Sequence, residues 1–472
     1  MKLINIYINV DKSFEKKAQY VFSTFAKILG IKCQFFTKIT KEPIHIYYGV
    51  KTKDEYPIHI FHGPHVSDFF QEHEDYPDKD VNLVKYKMTY IPFLFSRKGN
   101  ILRFTANSIR IRKDIIASAF YFLSCWQEYT CKKEISPSSP YDFKSSIQYK
   151  FNFTEIATVD RYCELLEDIL VRTFQEFVRS NIWPEGKKFA VSLSHNIEYW
   201  NFWTKAYLKQ FNQERKEHPN GKYFRTLFKM LKHRIDKKFF YEPSAFIKKI
   251  IRKEKQLRTT STFFILTKND FPDLRRNYFG DEYIFQQLVK LLKDKSVNLF
   301  GSKEAGFQYH FLPPEMDKLT GFTANGFRVR YLNLNYQHLF STLEKGNVKY
   351  DSSIGFNEHI GYRAGISYPF NPYKIDEDRP FNLLEIPIIA MDNSLMKQND
   401  GNLKRAEKKI YRLIRSSRLH RSHISLSWHT HHFDSIDFPK WNKLYWKLLV
   451  FLKRNSAWLC SLDKMYNYWQ NK

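Results

Sequence analysis

The sequence predicts an α/β protein, a (β/α) barrel preceded by a smaller α/β N-terminal domain. Three observations carry this. From residue 189 to the end of the chain, short β-rich runs alternate with amphipathic helical stretches, the pattern of a parallel sheet with helical crossovers. Residues 3–61 show a shorter strand and helix pattern of their own. At 472 residues, with 43% hydrophobic and 17% aromatic side chains, the chain exceeds one ordinary domain and can fill a full core.

The N-terminal unit is expected over residues 1–135. Strand-like runs at 3–10, 44–48 and 58–61 accompany a helix-like segment at 13–29. A longer amphipathic helix follows at 112–130, RKDIIASAFYFLSCWQEYT, where apolar positions recur at three and four. The stretch ISPSSPYD breaks structure through its Pro and Ser. Residues 136–186 then read as a linker and a connecting helix, TVDRYCELLEDILVRTFQEFV.

The barrel is expected over 187–472, with strands at 189–194, 261–266, 297–300, 383–387, 423–428 and 458–462. Helices such as DEYIFQQLVKLLKD and NLKRAEKKIYRLIRSS lie between them. A basic, aromatic insertion at about 200–258 separates the first two strands. Its aromatics fall with its aliphatics at helical spacing, which suits packing on the barrel with Lys and Arg in water. A face for an anionic polymer or an anionic membrane is the alternative. In such a barrel the functional side chains sit just after the strands.

Seventy-six Lys and Arg against 49 Asp and Glu give +27, which favours anionic partners. Nucleic acid ranks last among these, because the chain contains no recognition motif. Charges interrupt the N-terminal apolar residues before a secretory core could form, and no stretch approaches the ~20 apolar residues of a membrane span. The expected location is cytoplasmic, with the inner-membrane surface as a peripheral site. The five cysteines form no C-x-x-C pair, so buried thiols are expected rather than a thiolate zinc site.

Polar clusters stand where apolar runs end. KFAVSLSHNIEYW delivers Ser194, His195, Asn196 and Glu198 after a buried strand. YDSSIGF carries Asp351, GYRAGISYPF carries Tyr362, Arg363 and Phe370, and ISLSWHTHHFD carries Trp428, His429, His431 and His432. A rigid strand end with a carboxylate and imidazoles can position a metal or a general base. A buried ion pair explains Asp351 and Arg363 equally well, and a hydrogen-bonded core histidine explains His429.

As an ordered set these segments resemble bacterial polysaccharide deacetylases of the NodB-homology type, in the longer form with an extra N-terminal domain. That subgroup shows T-H-D-x-D, I-G-L-H-G-S, R-x-H-Y-L, Y-D-S-S-x-G, G-F-R-A-G-x-x-x-P-F, L-E-I-P-L with M-D, and L-W-H-N. Here the stretches run Ser194 to Glu198, Val297 to Ser302, Arg328 to Leu332, Tyr350 to Gly355, Gly361 to Phe370, Leu384 to Ile388 with Met391 and Asp392, and Ser427 to Thr430. The helix DIIASAFYFLSCWQEY is similar to that of the accompanying N-terminal domain. The resemblance covers most of the chain from about residue 90.

The resemblance implies a deformed (β/α) barrel in which an Asp is general base, an Asp and one or two His hold zinc or another divalent metal, and a late His is general acid. Metal and base together would hydrolyse an acetylated sugar. This sequence departs from the pattern at its centre. Asn196 stands at the base position, Phe300 at a metal His, and Arg330 at the His of R-x-H-Y-L. An amide takes no proton at neutral pH, a benzyl group cannot ligate, and a guanidinium repels a cation.

What persists is Glu198, one methylene longer than the family's Asp, with Asp351, Arg363 and His429. The resemblance assigns the sugar-facing surface to Trp428, Tyr362 and Phe370, and has Arg363 orient a carboxylate, here Asp351 or Glu198. His195 is a weaker metal candidate, better suited to support than to ligation. The leading expectation is a deacetylase-like barrel protein of bacterial cell-surface glycan metabolism with an impaired or lost centre and no cofactor. One alternative is an active metal-dependent N- or O-deacetylase with a shifted site. The other is an assembly protein that binds an acetylated or anionic glycan, or an anionic membrane surface.

Overall fold

A computed structural model describes residues 3–50, 55–75, 77, 81–95, 99–131, 141–199, 224, 228, 231, 243–266, 282–301, 324–435 and 437–472. Most of the expected basic insertion, and Ser302, lie outside the described residues.

The first sheet contains β1 (Leu3–Asn9), β2 (Lys32–Phe36), β3 (Ile46–Gly49), β4 (Ile58–Phe61), β7 (Leu102–Phe104) and β8 (Ile109–Ile111); a separate hairpin joins β5 (Asn82–Tyr86) to β6 (Thr89–Phe93). The order is β2-β1-β3-β4-β8-β7, parallel throughout except for β7 on β8. The helix Lys12–Leu29 starts where the Asp11 carboxylate accepts from the Ser13 N–H and stops at Gly30, whose φ of 68° reverses the chain. The expected helix over 112–130 is two pieces, Ile115–Leu123 and Trp126–Tyr129, because Cys125 adopts φ 46° between them. Strand β2 escapes the sequence pattern because, at the sheet edge, it buries no clean alternate face.

The second sheet contains β9 (Phe189–Ile197), β10 (Thr262–Leu266), β11 (Ser296–Gly301), β12 (Gly326–Val329) and β13 (Tyr350–Asp351). After the small hairpin of β14 (Tyr373–Lys374) and β15 (Arg379–Pro380) it continues with β16 (Leu384–Glu385), β17 (Ala390–Met391), β18 (His423–Ser427) and β19 (Ala457–Ser461). The order is β16-β13-β12-β11-β10-β9-β18-β17, with β19 also on β9, and every pairing is parallel. All nine residues of β9 are buried, as expected for a parallel strand covered on both faces.

This sheet is curled. In a flat sheet β12 and β18 would lie about 19 Å apart, four strand spacings. Yet the Arg328 guanidinium on β12 donates to Ser427 Oγ on β18 at 3.1 Å and to Ser194 Oγ on β9 at 3.1 Å. The concave face therefore closes over one side chain. The ladder runs from β16 to β17 without joining them, so among the described residues the sheet is an open half-barrel rather than the closed ring the sequence suggested.

Both sheets contribute to one continuous hydrophobic core. Across it the Tyr20 hydroxyl donates to Asn371 O at 2.6 Å, and Lys17 pairs with Asp378 at 2.6 Å.

Candidate functional site

Strand alternation decides what reaches the concave face, because successive side chains point to opposite sides. On β9 the even residues point inward. Ser194 and Asn196 both accept from Arg328, and beyond the strand Glu198 accepts from Arg330 Nη2 at 3.3 Å. His195 points the other way, between the sheet and the outer helices. Its Nδ1 lies 2.8 Å from Trp428 O and its Nε2 3.2 Å from Glu254, which also accepts from Tyr445 and Ser261. His195, read from the sequence as better suited to support than to ligation, thus sits in the packing behind the sheet.

Arg328 dominates the interior. It is fully buried; Nε donates to Ser352 O at 3.0 Å, Nη1 to Asn196 Oδ1 at 2.8 Å, and Nη2 to Ser352 Oγ at 3.1 Å, while the guanidinium lies 4.0 Å from the Phe264 ring centre. Burial pushes its pKa down to about 9, so it is still charged at neutral pH. With Asn196 Oδ1 taken by Arg328, the amide turns its NH₂ toward His429, where Nδ2 lies 3.3 Å from Nε2. An aspartate there would present an acceptor to the same atom; the amide presents a donor.

His429 is held from its other side. Its Nδ1 lies 2.6 Å from Asp392 Oδ1, its backbone N–H donates to Asp392 Oδ2 at 2.7 Å, and its Nε2 lies 3.7 Å from Glu198 Oε1. Asp392 takes a second imidazole, His432 Nδ1, at 2.6 Å. Burial would raise Asp392, but the two imidazoles outweigh it and hold the carboxyl well below its ordinary range. Burial would likewise lower His429, but Asp392, with help from Glu198, raises it. The site thus unites Asn196, Glu198 and His429 with Arg328, Arg330, Asp392 and His432.

The sequence signal for the missed members was present. Arg328 opens the R-x-R-Y-L stretch, and Asp392 follows the apolar pair Ala390–Met391 at a strand end.

Other expected site residues lie elsewhere. Phe300 is on the concave face, in register with Leu266 and Arg328, and forms apolar wall where a metal ligand was expected in the family pattern. Trp428 turns outward and packs on Trp441 and Tyr445 with no surface exposed, so it does not face the site. Arg363 pairs with neither Asp351 nor Glu198. Its Nε and Nη2 donate to the two oxygens of Glu128 at 2.7 and 2.6 Å, and Nη1 donates to Leu332 O and Gly355 O. The partner comes from the helix Trp126–Tyr129, which no local sequence pattern could reveal. Tyr362 and Phe370 are buried; Phe370 lines a crevice with Tyr20 and Trp469, a lining that contains none of the residues around His429.

Asp351 aligns with Phe327 and Glu385 on the face opposite Arg328. Burial raises Asp351 to about 6, and burial with the neighbouring Asp351 carboxyl raises Glu385 well above its ordinary value, so the pair shares a proton at neutral pH. A carboxyl raised in the fold favours stability at low pH and loses it as pH rises toward the folded pKa. Glu385→Gln should therefore flatten the fall in wild-type stability as pH rises above 4.5. Urea unfolding of both proteins from pH 4 to 8 measures this; parallel curves would contradict it.

The metal implied by the family pattern does not fit at the strand ends. Asn196 offers its oxygen to a buried cation, a second guanidinium occupies Glu198, and Phe300 offers no ligand atom. Among the described residues one group could hold a cation: Asp392, His429 and His432 place three ligand-type atoms within 4.8 Å of one another.

Residues 6–175 match a family of unknown function, DUF7033. No curated protein matches the chain. Among solved structures it is similar to a Mycobacterium smegmatis protein assigned as a polysaccharide deacetylase, at 10% identity over 61% of this chain and 92% of that one, with a TM-score of 0.38. It is also similar to Puue allantoinase, at 11% identity over 61% and 93%, with a TM-score of 0.42. At such scores the curl of the sheet rests on the Arg328 contacts and not on these neighbours.

Proposed function

We propose that the chain is a deacetylase-like barrel protein of bacterial cell-surface glycan metabolism whose metal-dependent hydrolytic centre is lost, and whose concave site binds a glycan. One observation carries the reading: Asn196 Oδ1 is committed to the buried Arg328 at 2.8 Å, so neither a base nor a metal ligand remains there. The ordered motifs supply the substrate class. Glu198 and His429, which keep slight exposure at the strand ends, offer polar atoms suited to sugar hydroxyls, and the buried Asp392 holds His429 in place.

The Asp392, His429 and His432 group favours a second reading, an active deacetylase with a shifted metal. The distances weigh against it. Both Nδ1 atoms lie 2.6 Å from the carboxylate, the separation of a short N–H···O bond. Ligands around a tetrahedral zinc stand about 3.3 Å apart.

Elemental analysis of tag-free protein, dialysed after exposure to Zn²⁺, should find less than about 0.1 zinc per chain, far below the full occupancy of a closed structural site. Acetate release from an acetylated chitooligosaccharide should match that of Glu198→Ala and His429→Ala proteins. About one zinc per chain, lost on His432→Ala and accompanied by acetate release, would establish the shifted site instead.

A further inference from the structure

The outer layer of the curled sheet carries a feature the concave site does not use. On the helix Trp441–Arg454, Leu444, Leu448, Leu449 and Leu452 are buried, while Lys443, Lys447, Val450 and Arg454 form the outward stripe. Two neighbouring helices, Pro243–Gln256 and Leu403–Leu419, are rich in Lys and Arg and contain only Glu254 and Glu407 as acids. Glu254 is turned inward to His195.

Where the three helices meet they line an open groove of about 520 Å³. Its floor is apolar, formed by the buried Trp446 and the half-buried Phe451, with Tyr411 edge-on to Phe451 at 4.6 Å, and Val450, 36% exposed, stands at its edge. Its rim is cationic: Lys253, Lys443 and Arg454, with Lys447 paired to Glu407 at 3.4 Å. Lys253 Nζ lies 4.4 Å from the Trp446 ring centre. Burial lowers the Lys253 pKa, consistent with a stem lying along the apolar floor.

We propose that this groove docks the chain on an anionic phospholipid bilayer, with the cations at the headgroups and Val450, the exposed apolar residue of the outward stripe, at the acyl boundary. The pairing of chemistries selects the occupant. A bilayer interface offers negative charge and hydrocarbon within one side-chain length, which is what a cationic rim around an aromatic floor complements. A nucleic acid backbone would engage the rim and leave Val450 in water. The docking is independent of whether the concave site hydrolyses or only binds.

The test uses the full chain with vesicles of phosphatidylcholine, with and without phosphatidylglycerol. Co-sedimentation should require the anionic lipid and weaken with salt. Reversing Lys253, Lys443 and Lys447 to Glu should reduce partitioning by at least about tenfold. Reversing Lys12, Lys16 and Lys38, exposed residues of the N-terminal part, alters net charge equally and should change it by less than about twofold. A polarity-sensitive dye on a Val450→Cys protein should shift to the blue when anionic vesicles are added. Equal losses in the two reversal sets, or a dye that stays in water while the protein sediments, would overturn the proposal, the second outcome pointing to a polyanion contact through charge alone.

Discussion

Arg328→Met is expected to destabilise the fold by about 2–3 kcal/mol, the cost of leaving buried hydroxyl, amide and carbonyl oxygens without their charged donor. The guanidinium is the only group described that ties β12 to both β9 and β18, and its five donor contacts satisfy Ser194, Asn196, Ser352 and Ser427. Methionine fills much of the volume and can still lie on Phe264, so the loss would measure the polar network rather than a cavity. Arg328→Lys retains the charge but cannot fork toward four partners, and should recover less than half of the loss. Guanidinium chloride unfolding of the three proteins gives both numbers. A cost below about 1 kcal/mol for methionine would mean that the strands hold their curl without this tie.

Asp392→Asn should cost about 3 kcal/mol, because two imidazoles and a backbone N–H lose a charged acceptor in a fully buried place. The pH dependence identifies the cause. Asp392 is lowered in the fold, so its contribution is present above its ordinary 3.8 and disappears as pH falls through the folded value. His429 is raised, so its contribution is complete below its ordinary 6.5 and disappears as pH rises through its folded value. The stability difference between wild type and Asp392→Asn should be largest between about pH 4 and 6.5 and shrink on the alkaline side. Unfolding at pH 5, 7 and 9 checks the sign. A difference that grows toward pH 9 would show that the carboxylate is not paired with a protonated imidazole.

Legibility in the sequence followed length and periodicity. β9, β10 and β18 were readable because buried parallel strands leave apolar runs bounded by polar clusters. β13 and β17, at two residues each, are too short to leave a periodic trace, whereas β16 falls inside the strand expected at 383–387, and β12 hides in an arginine-bearing stretch. The first helix was readable over 13–29 from its apolar period, and the structure shows Asp11 and Gly30 capping it, whereas nothing local announces the left-handed Cys125 that divides the next long one. Asn196, Glu198 and His429 were legible as a site because strand ends in this architecture converge on one mouth.

By itself the sequence determined the strand and helix alternation, the polar strand ends and the presence of an amide rather than a carboxylate at Asn196, because these are properties of residue type and local period. Only the tertiary structure decided that His195, Asp351 and Trp428 turn away from the concave face, that Arg363 belongs to Glu128, and that Arg328 occupies the interior. The physical reason is that the face a side chain takes follows from strand register, and the partner it meets follows from the curl of the sheet. Both are set by contacts between residues far apart in the chain, where no local pattern can register them.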